Sequence, residues 1–165
     1  MSPITDIAPS LQPIIASSRI LGLYFASSWC PDCTPVTPRL KQIYESQPMA
    51  NTQTQSKLRL FEVCYISSDS NEAEMNRSME TMHGSWSCIP FSNVEERSAL
   101  KIKFGTCAAK EAPGLNLLGP GRRKNGIPTL LLLDCETNNL LSSDGVRDLV
   151  DLSPSDALNK WQDLL

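Results

Sequence analysis

An α/β fold, with a central mixed β-sheet and helices on both faces, is what these 165 residues predict. Three observations carry the prediction. Apolar and β-branched runs at 20–26, 58–66 and 127–133 alternate with stretches of helical periodicity. The first run ends just before Cys30 and Cys33, two thiols at a strand-to-helix turn. A hydrophobic content of 41% with 20% charged residues is that of an ordinary globular domain.

Each element follows from its residues. Residues 1–18 contain Pro and a short helix over Ser10–Ser17, and read as a segment docked on the domain. Ile20–Ala26 is apolar on both faces, the pattern of a buried central strand. A helix is expected from Cys30 to Gln47, with Val36, Leu40, Ile43 and Tyr44 as its buried stripe. Pro38 should kink it by removing a backbone donor, and Pro48 should help to end it. Asn51–Ser56 is a polar loop, and Leu58–Ile66 is a second strand. Ser70 is the expected cap of a helix over Asn71–Met82, whose Met75, Met79 and Met82 face the core. Trp86–Phe91 is a loop turned by Pro90, and Val94–Phe104 is a helix stopped at Gly105.

Thr106–Asn125 is rich in Gly and Pro and lacks periodicity; such long loops are uncommon in a compact domain. Ile127–Leu133 is the third strong strand. Leu140–Ser143 and Val146–Val150 suggest a final hairpin about Asp144 and Gly145. Ser153, Pro154 and Asp156 open a last helix with the stripe Leu158, Trp161, Leu164 and Leu165. The expected organisation is a single domain over 1–165 with an insertion at about 106–125.

Composition excludes several classes. A net charge of −3 leaves no basic surface for nucleic acid, and Arg122, Arg123 and Lys124 read as a solvated loop. No apolar run is long enough to span a bilayer, so no membrane partner is expected. The first residues lack the positive charge of a secretory leader, so a cytoplasmic or nuclear setting is expected. In that reducing setting the six cysteines are not a structural disulfide framework.

The chemistry lies in Cys30 and Cys33. A helix N-terminus favours negative charge, so the first thiol is expected to ionise near neutral pH. The thiolate is the attacking species in thiol–disulfide exchange. The competing reading is half a zinc site, which needs two further ligands at comparable spacing. Cys64, Cys88, Cys107 and Cys135 are scattered singly and His83 is the only histidine, so no metal is expected. Cys64 reads as a buried small hydrophobe and Cys135 as partly exposed. Cys107 lies in the insertion, where oxidation or bridging is the alternative to the structural or incidental presence favoured for all three, and His83 reads as a polar surface residue.

The motif, Pro38 and the start of the third strand together resemble the thioredoxin-fold superfamily, within it the nucleoredoxin and tryparedoxin branch. The shared segments are Gly22–Cys30, Phe61–Asp69, Trp86 with Ile89–Phe91, Gly126–Leu130, and Asp144 with Gly145. The resemblance implies a thioredoxin-like fold and a protein-disulfide reductase. Cys30 would be the exposed nucleophile and Cys33 the resolving thiol. Trp29 would limit access, with Pro31, Asp32 and Tyr24 supporting the site. A cis bond before Pro128 would present Ile127, Pro128 and Thr129 to an extended substrate. Substrates would be protein disulfides, electrons would come from a reductase or a low-molecular-weight thiol, and no bound cofactor is implied. The rival reading is a redox-regulated interaction module with little turnover.

Asp32 and an insertion depart from the branch, whereas Tyr24 departs from typical thioredoxins and matches the aromatic that the branch carries there. Asp32 stands where the branch has a second Pro, and a carboxylate there opposes thiolate formation. Tyr24 stands six residues before Cys30, where thioredoxins carry a buried Asp, which removes one proton acceptor; Asp32 is a candidate substitute. About twenty residues are inserted before Gly126, where connections are usually short. A lid, a partner-recognition element and a solvated loop all remain open for them.

Overall fold

The computed structural model describes residues 2–47 and 59–165. The expectations for Pro48 and for Asn51–Ser56 fall outside those residues. A five-stranded sheet is ordered β3-β2-β1-β4-β5. Its strands are β1 (Ser18–Ala26), β2 (Arg59–Ser67), β3 (Ser87–Cys88), β4 (Thr129–Asp134) and β5 (Leu140–Ser142). β2 runs parallel to β1 and β3, whereas β4 is antiparallel to β1 and β5. The mixed α/β sheet expected from the sequence is therefore present.

β1 is central, and its unbroken apolar run serves two cores. Ile20, Tyr24 and Ala26 point into one, while Leu21, Leu23 and Phe25 point into the other. On the first face lie α2 (Val36–Ser46), α3 (Glu72–Thr81), α5 (Gly145–Asp151) and α6 (Pro154–Gln162), through Leu40, Met75, Leu149 and Trp161. On the second lie α1 (Gln12–Ser17) and α4 (Val94–Phe104), through Ile14 and Leu100. Ile4, Ala8 and Leu11 join that second core, so the N-terminal segment is docked as expected.

Several boundaries differ from the sequence reading. The helix expected from Cys30 begins at Val36; Cys30–Pro35 is a series of turns. Pro31, Pro35 and Pro38 cannot donate to the backbone ladder, which breaks it over that stretch. Pro38 thus sits in the first turn of α2, where no intrahelical donor is required, rather than in its interior. Asn71, not Ser70, caps α3 by accepting from the Glu74 amide. Ser87–Cys88 forms a short strand where a loop was expected, because β2 offers it a parallel edge. Val146–Val150 lies within helix α5, not in a hairpin arm. α6 buries Ala157, Leu158 and Trp161, but Leu164 and Leu165 lie beyond its end and are exposed.

Candidate active site

β1 delivers the motif to the carboxyl edge of its parallel pair with β2, where open α/β sheets place their sites. Ser27 and Ser28 turn the chain out of β1. Asp69, just past β2, clamps that turn by accepting from the Ser28 amide at 2.7 Å and from its hydroxyl. The other Asp69 oxygen accepts from Ser67 Oγ at 2.7 Å and Tyr65 Oη at 3.0 Å. Trp29 is 42% exposed, yet its indole N–H donates to the Ser68 carbonyl at 2.9 Å. The residue expected to fence the thiols is thus pinned.

Cys30 and Cys33 belong to the core under the motif, and both are free thiols. Cys30 is 5% exposed and Cys33 2%. The nucleophile expected to be exposed is largely covered, because its thiol turns toward the Ile127 carbonyl, 3.9 Å away. Burial pushes the Cys33 thiol well above its ordinary pKa. Its hydrogen bond to Cys30 and the charges of Cys30 and Asp32 push the same way, while the Ser27 amide opposes them. Pro31 and Asp32 are exposed on the turn between the two thiols.

Tyr24 is fully buried beneath the motif. Thr37 Oγ1 donates to the Cys33 carbonyl at 3.2 Å, so the Tyr24 hydroxyl donates to Thr37 at 2.7 Å. Burial raises the Tyr24 pKa far beyond the working range. This phenol is a donor that ties β1 to the turn carrying Cys33, and it accepts no proton.

The Ile127–Pro128 bond is cis. Ile127 and Pro128 are half-buried at the rim, whereas Thr129 is buried and donates to the Gly126 carbonyl at 2.7 Å. Thr129 therefore shapes the loop from inside.

The insertion is anchored over residues 106–117, while 118–124 are exposed, as the solvated reading of Arg122, Arg123 and Lys124 expects. Cys107, Ala112 and Leu117 form a small core of their own, which also buries the cysteine for which oxidation or bridging is the alternative. Glu111 accepts from the Ser68 hydroxyl and the Ala108 amide and pairs with the buried Lys101, which also donates to the Ser67 carbonyl. Lys110 lies over the Trp29 ring, 4.1 Å from its centre. The insertion thus touches both the motif Trp and the segment that pins it.

Sequence reasoning missed Asp69, Glu111, Lys101 and Lys110, because their partners lie in other segments. It misplaced His83, which is buried and accepts from Trp86 Nε1 at 3.1 Å, packed on the Tyr65 ring. Cys64 is buried as expected, and Cys135 is 9% exposed, nearer to buried than to the partial exposure expected.

The fold agrees with comparisons to known proteins. Probable nucleoredoxin 3 of rice is 29% identical over 119 residues, 72% of this chain but 21% of its own length. Tryparedoxin of Trypanosoma brucei brucei is 27% identical over 143 residues, 87% of this chain and 79% of the relative. The chain thus spans about a fifth of the nucleoredoxin and most of the tryparedoxin. The structure of tryparedoxin I from Leishmania major superposes with a TM-score of 0.59 at 25% identity, over 88% of this chain and 79% of that one. The family model described as thioredoxin-like matches residues 18–140, and the chain belongs to the thioredoxin-like family.

Proposed function

We propose that this chain is a thiol–disulfide oxidoreductase that reduces protein disulfides through Cys30, with Cys33 resolving the intermediate. The observation that supports it best is the contact of the two motif thiols at the end of β1, with the Ile127 carbonyl facing Cys30. Cys30 as thiolate attacks one sulfur of the substrate disulfide, and the other leaves as a thiol. Cys33 then loses its proton and attacks Cys30, which releases the second substrate thiol. The substrate gains two electrons, and the Cys30–Cys33 disulfide carries the loss.

The remaining residues have distinct roles in this reading. Ile127 and Pro128 line the rim where an extended substrate segment docks, and Thr129 holds that loop in shape. Trp29 walls one side, Pro31 stiffens the turn, Asp32 adds negative charge beside the pair, and Tyr24 fixes the Cys33 carbonyl. A reductase or a low-molecular-weight thiol restores the dithiol without a bound cofactor. A reducing compartment, the cytoplasm or nucleus, suits six free thiols. Among the described residues no helix is long and apolar enough to cross a membrane.

The coverage of Cys30 favours a second reading, an interaction module in which redox state switches a contact. Turnover separates the two. Insulin-disulfide reduction with a supplied reductant, and a partner trapped covalently by Cys33→Ser, are the expected results. Absence of turnover, with binding that survives Cys30→Ser, refutes the enzyme and favours the module.

A further inference from the structure

The resolving step has an unsolved proton. Cys33 is buried and held protonated, Tyr24 accepts nothing, and Asp32 opposes ionisation by its charge. Tyr24, Cys30 and Asp32 are the titratable groups that face Cys33.

Behind Cys33 lies a small cavity lined by Ser27, Thr34, Thr37 and Ser78 as well as by Cys33 itself. The space open to the centre of a water molecule is about 10 Å³, close to the least that holds one water. With Ser28 and Met82 the lining holds five hydroxyls, a thiol and a thioether, and the hydroxyls give it the polarity that keeps such a site wet. Ser27 supplies a second, independent sign. It is only 5% exposed, and its hydroxyl has no hydrogen-bond partner among the described residues. Native proteins rarely bury a hydroxyl without satisfying it. Ser27 lines the same cavity as Cys33.

A wider cleft lies next to the cavity. The two share Ser28, Ser78 and Met82, and the cleft, of about 200 Å³, is also lined by Glu74 and Thr81. Ser28 and Thr34 on the walls of the cavity are exposed.

We propose that Ser27 Oγ binds one water in this cavity, and that this water takes the Cys33 proton in the resolving step and passes it through the cleft to solvent. This rests on the oxidoreductase reading. The Cys33 S–H bond breaks and its proton leaves as hydrated proton. The electron pair on sulfur forms the Cys30–Cys33 bond as the bond from Cys30 to substrate breaks. The substrate sulfur departs with the pair of the broken bond and is protonated by solvent. Ser27 is a positioning residue; it acts through the water and does not touch substrate.

The test uses the aromatic disulfide of thionitrobenzoate, which releases one coloured anion per step. In the reduced wild type, a first release reports attack by Cys30 and a second reports resolution by Cys33. Ser27→Ala should leave the first unchanged. It should slow the second by about 10-fold, less than a positioned acid or base contributes, because the other hydroxyls remain. The slowed phase should recover as pH rises, since hydroxide replaces the relay; loss of packing alone would not restore it. An unchanged second phase at every pH overturns the proposal while leaving the oxidoreductase reading intact. A wild type with no second phase at all refutes resolution by Cys33 instead. Should the variant not fold, a high-resolution crystal structure of the reduced wild type decides. Water bonded to Ser27 Oγ supports the relay, and a dry cavity overturns it.

Discussion

Removing one carboxylate should loosen the insertion and weaken the whole domain. Lys101 is 2% exposed, and among the described residues its ammonium contacts only the Ser67 carbonyl and Glu111. Burial pushes its pKa down, and Glu111 restores it only in part. Burial alone would raise the Glu111 pKa, but Lys101, Ser68 and the Ala108 amide together hold it below the ordinary carboxylate range. Glu111→Gln therefore leaves a buried cation with neutral partners alone. Breaking such a pair costs about 3–5 kcal/mol, and the partial exposure of Glu111 argues for about 3. For a domain of this length that lowers Tm by about 6–12 °C. Lys101→Met combined with Glu111→Leu removes both charges and should recover most of the loss, to within about 1–2 kcal/mol of wild type. The pH dependence has a fixed sign. A carboxylate held low in the folded state stabilises above its unfolded pKa, ~4.3, and loses that contribution as pH falls through the folded value. The Gln variant should lack that acid limb. Thermal melts of the three proteins at neutral and acid pH check the argument. A Gln variant within 2 °C of wild type (about 0.5–1 kcal/mol), or a double variant as weak as the single one, would refute it.

Three further outcomes are expected. Gly22→Ala would place a methyl 2.7 Å from Phe61 Cε2 and 3.1 Å from Leu130 Cδ1, so urea unfolding should show a loss of about 1–3 kcal/mol from overpacking. Burial lowers His83 to about 4, so it stays neutral when folded; stability should fall by up to about 3 kcal/mol as pH drops from ~6.5 toward 4, and His83→Gln should flatten that slope. Lys110→Ala should raise acrylamide quenching of tryptophan fluorescence, because Trp29 is exposed while Trp86 and Trp161 are buried, with a stability cost of only about 0.5–1 kcal/mol.

How far these features could be read from the sequence depended on whether their physics is local. Ile20–Ala26 was legible because a strand buried on both faces leaves an unbroken apolar run. α4 was bounded correctly because Gly105 stops it in the left-handed conformation, φ +57°. Val146–Val150 was misread because five residues fit either period, and only packing of Leu149 on the sheet side selects the helix. The motif thiols and the cis bond came through family resemblance. The anchoring of the insertion did not, because Lys101, Glu111 and Ser68 are polar residues whose pairing follows no periodicity. His83 looked like surface because nothing local shows that Trp86 will bond its ring nitrogen.

Tyr24 gives those long-range contacts a common consequence. A buried carboxylate at its position could take a proton from Cys33; a phenol whose hydroxyl is committed to Thr37 cannot. What it offers instead is position, through Thr37 to the Cys33 carbonyl. Asp69 does the same for the turn on the other side, through the Ser28 amide. The two thiols are therefore fixed from below by groups that are already bonded, and each meets a different environment. Cys30 faces the Ile127 carbonyl at the rim, where a partner would arrive. Cys33 faces a cavity walled by hydroxyls, next to a wider cleft. An attacking thiol needs access to a partner, and a resolving thiol needs somewhere to send its proton. Exchanging the carboxylate for Tyr24 moves the second requirement from an ionisable side chain to water, which makes the Ser27 hydroxyl, and not Asp32, the group on which the rate of resolution should depend.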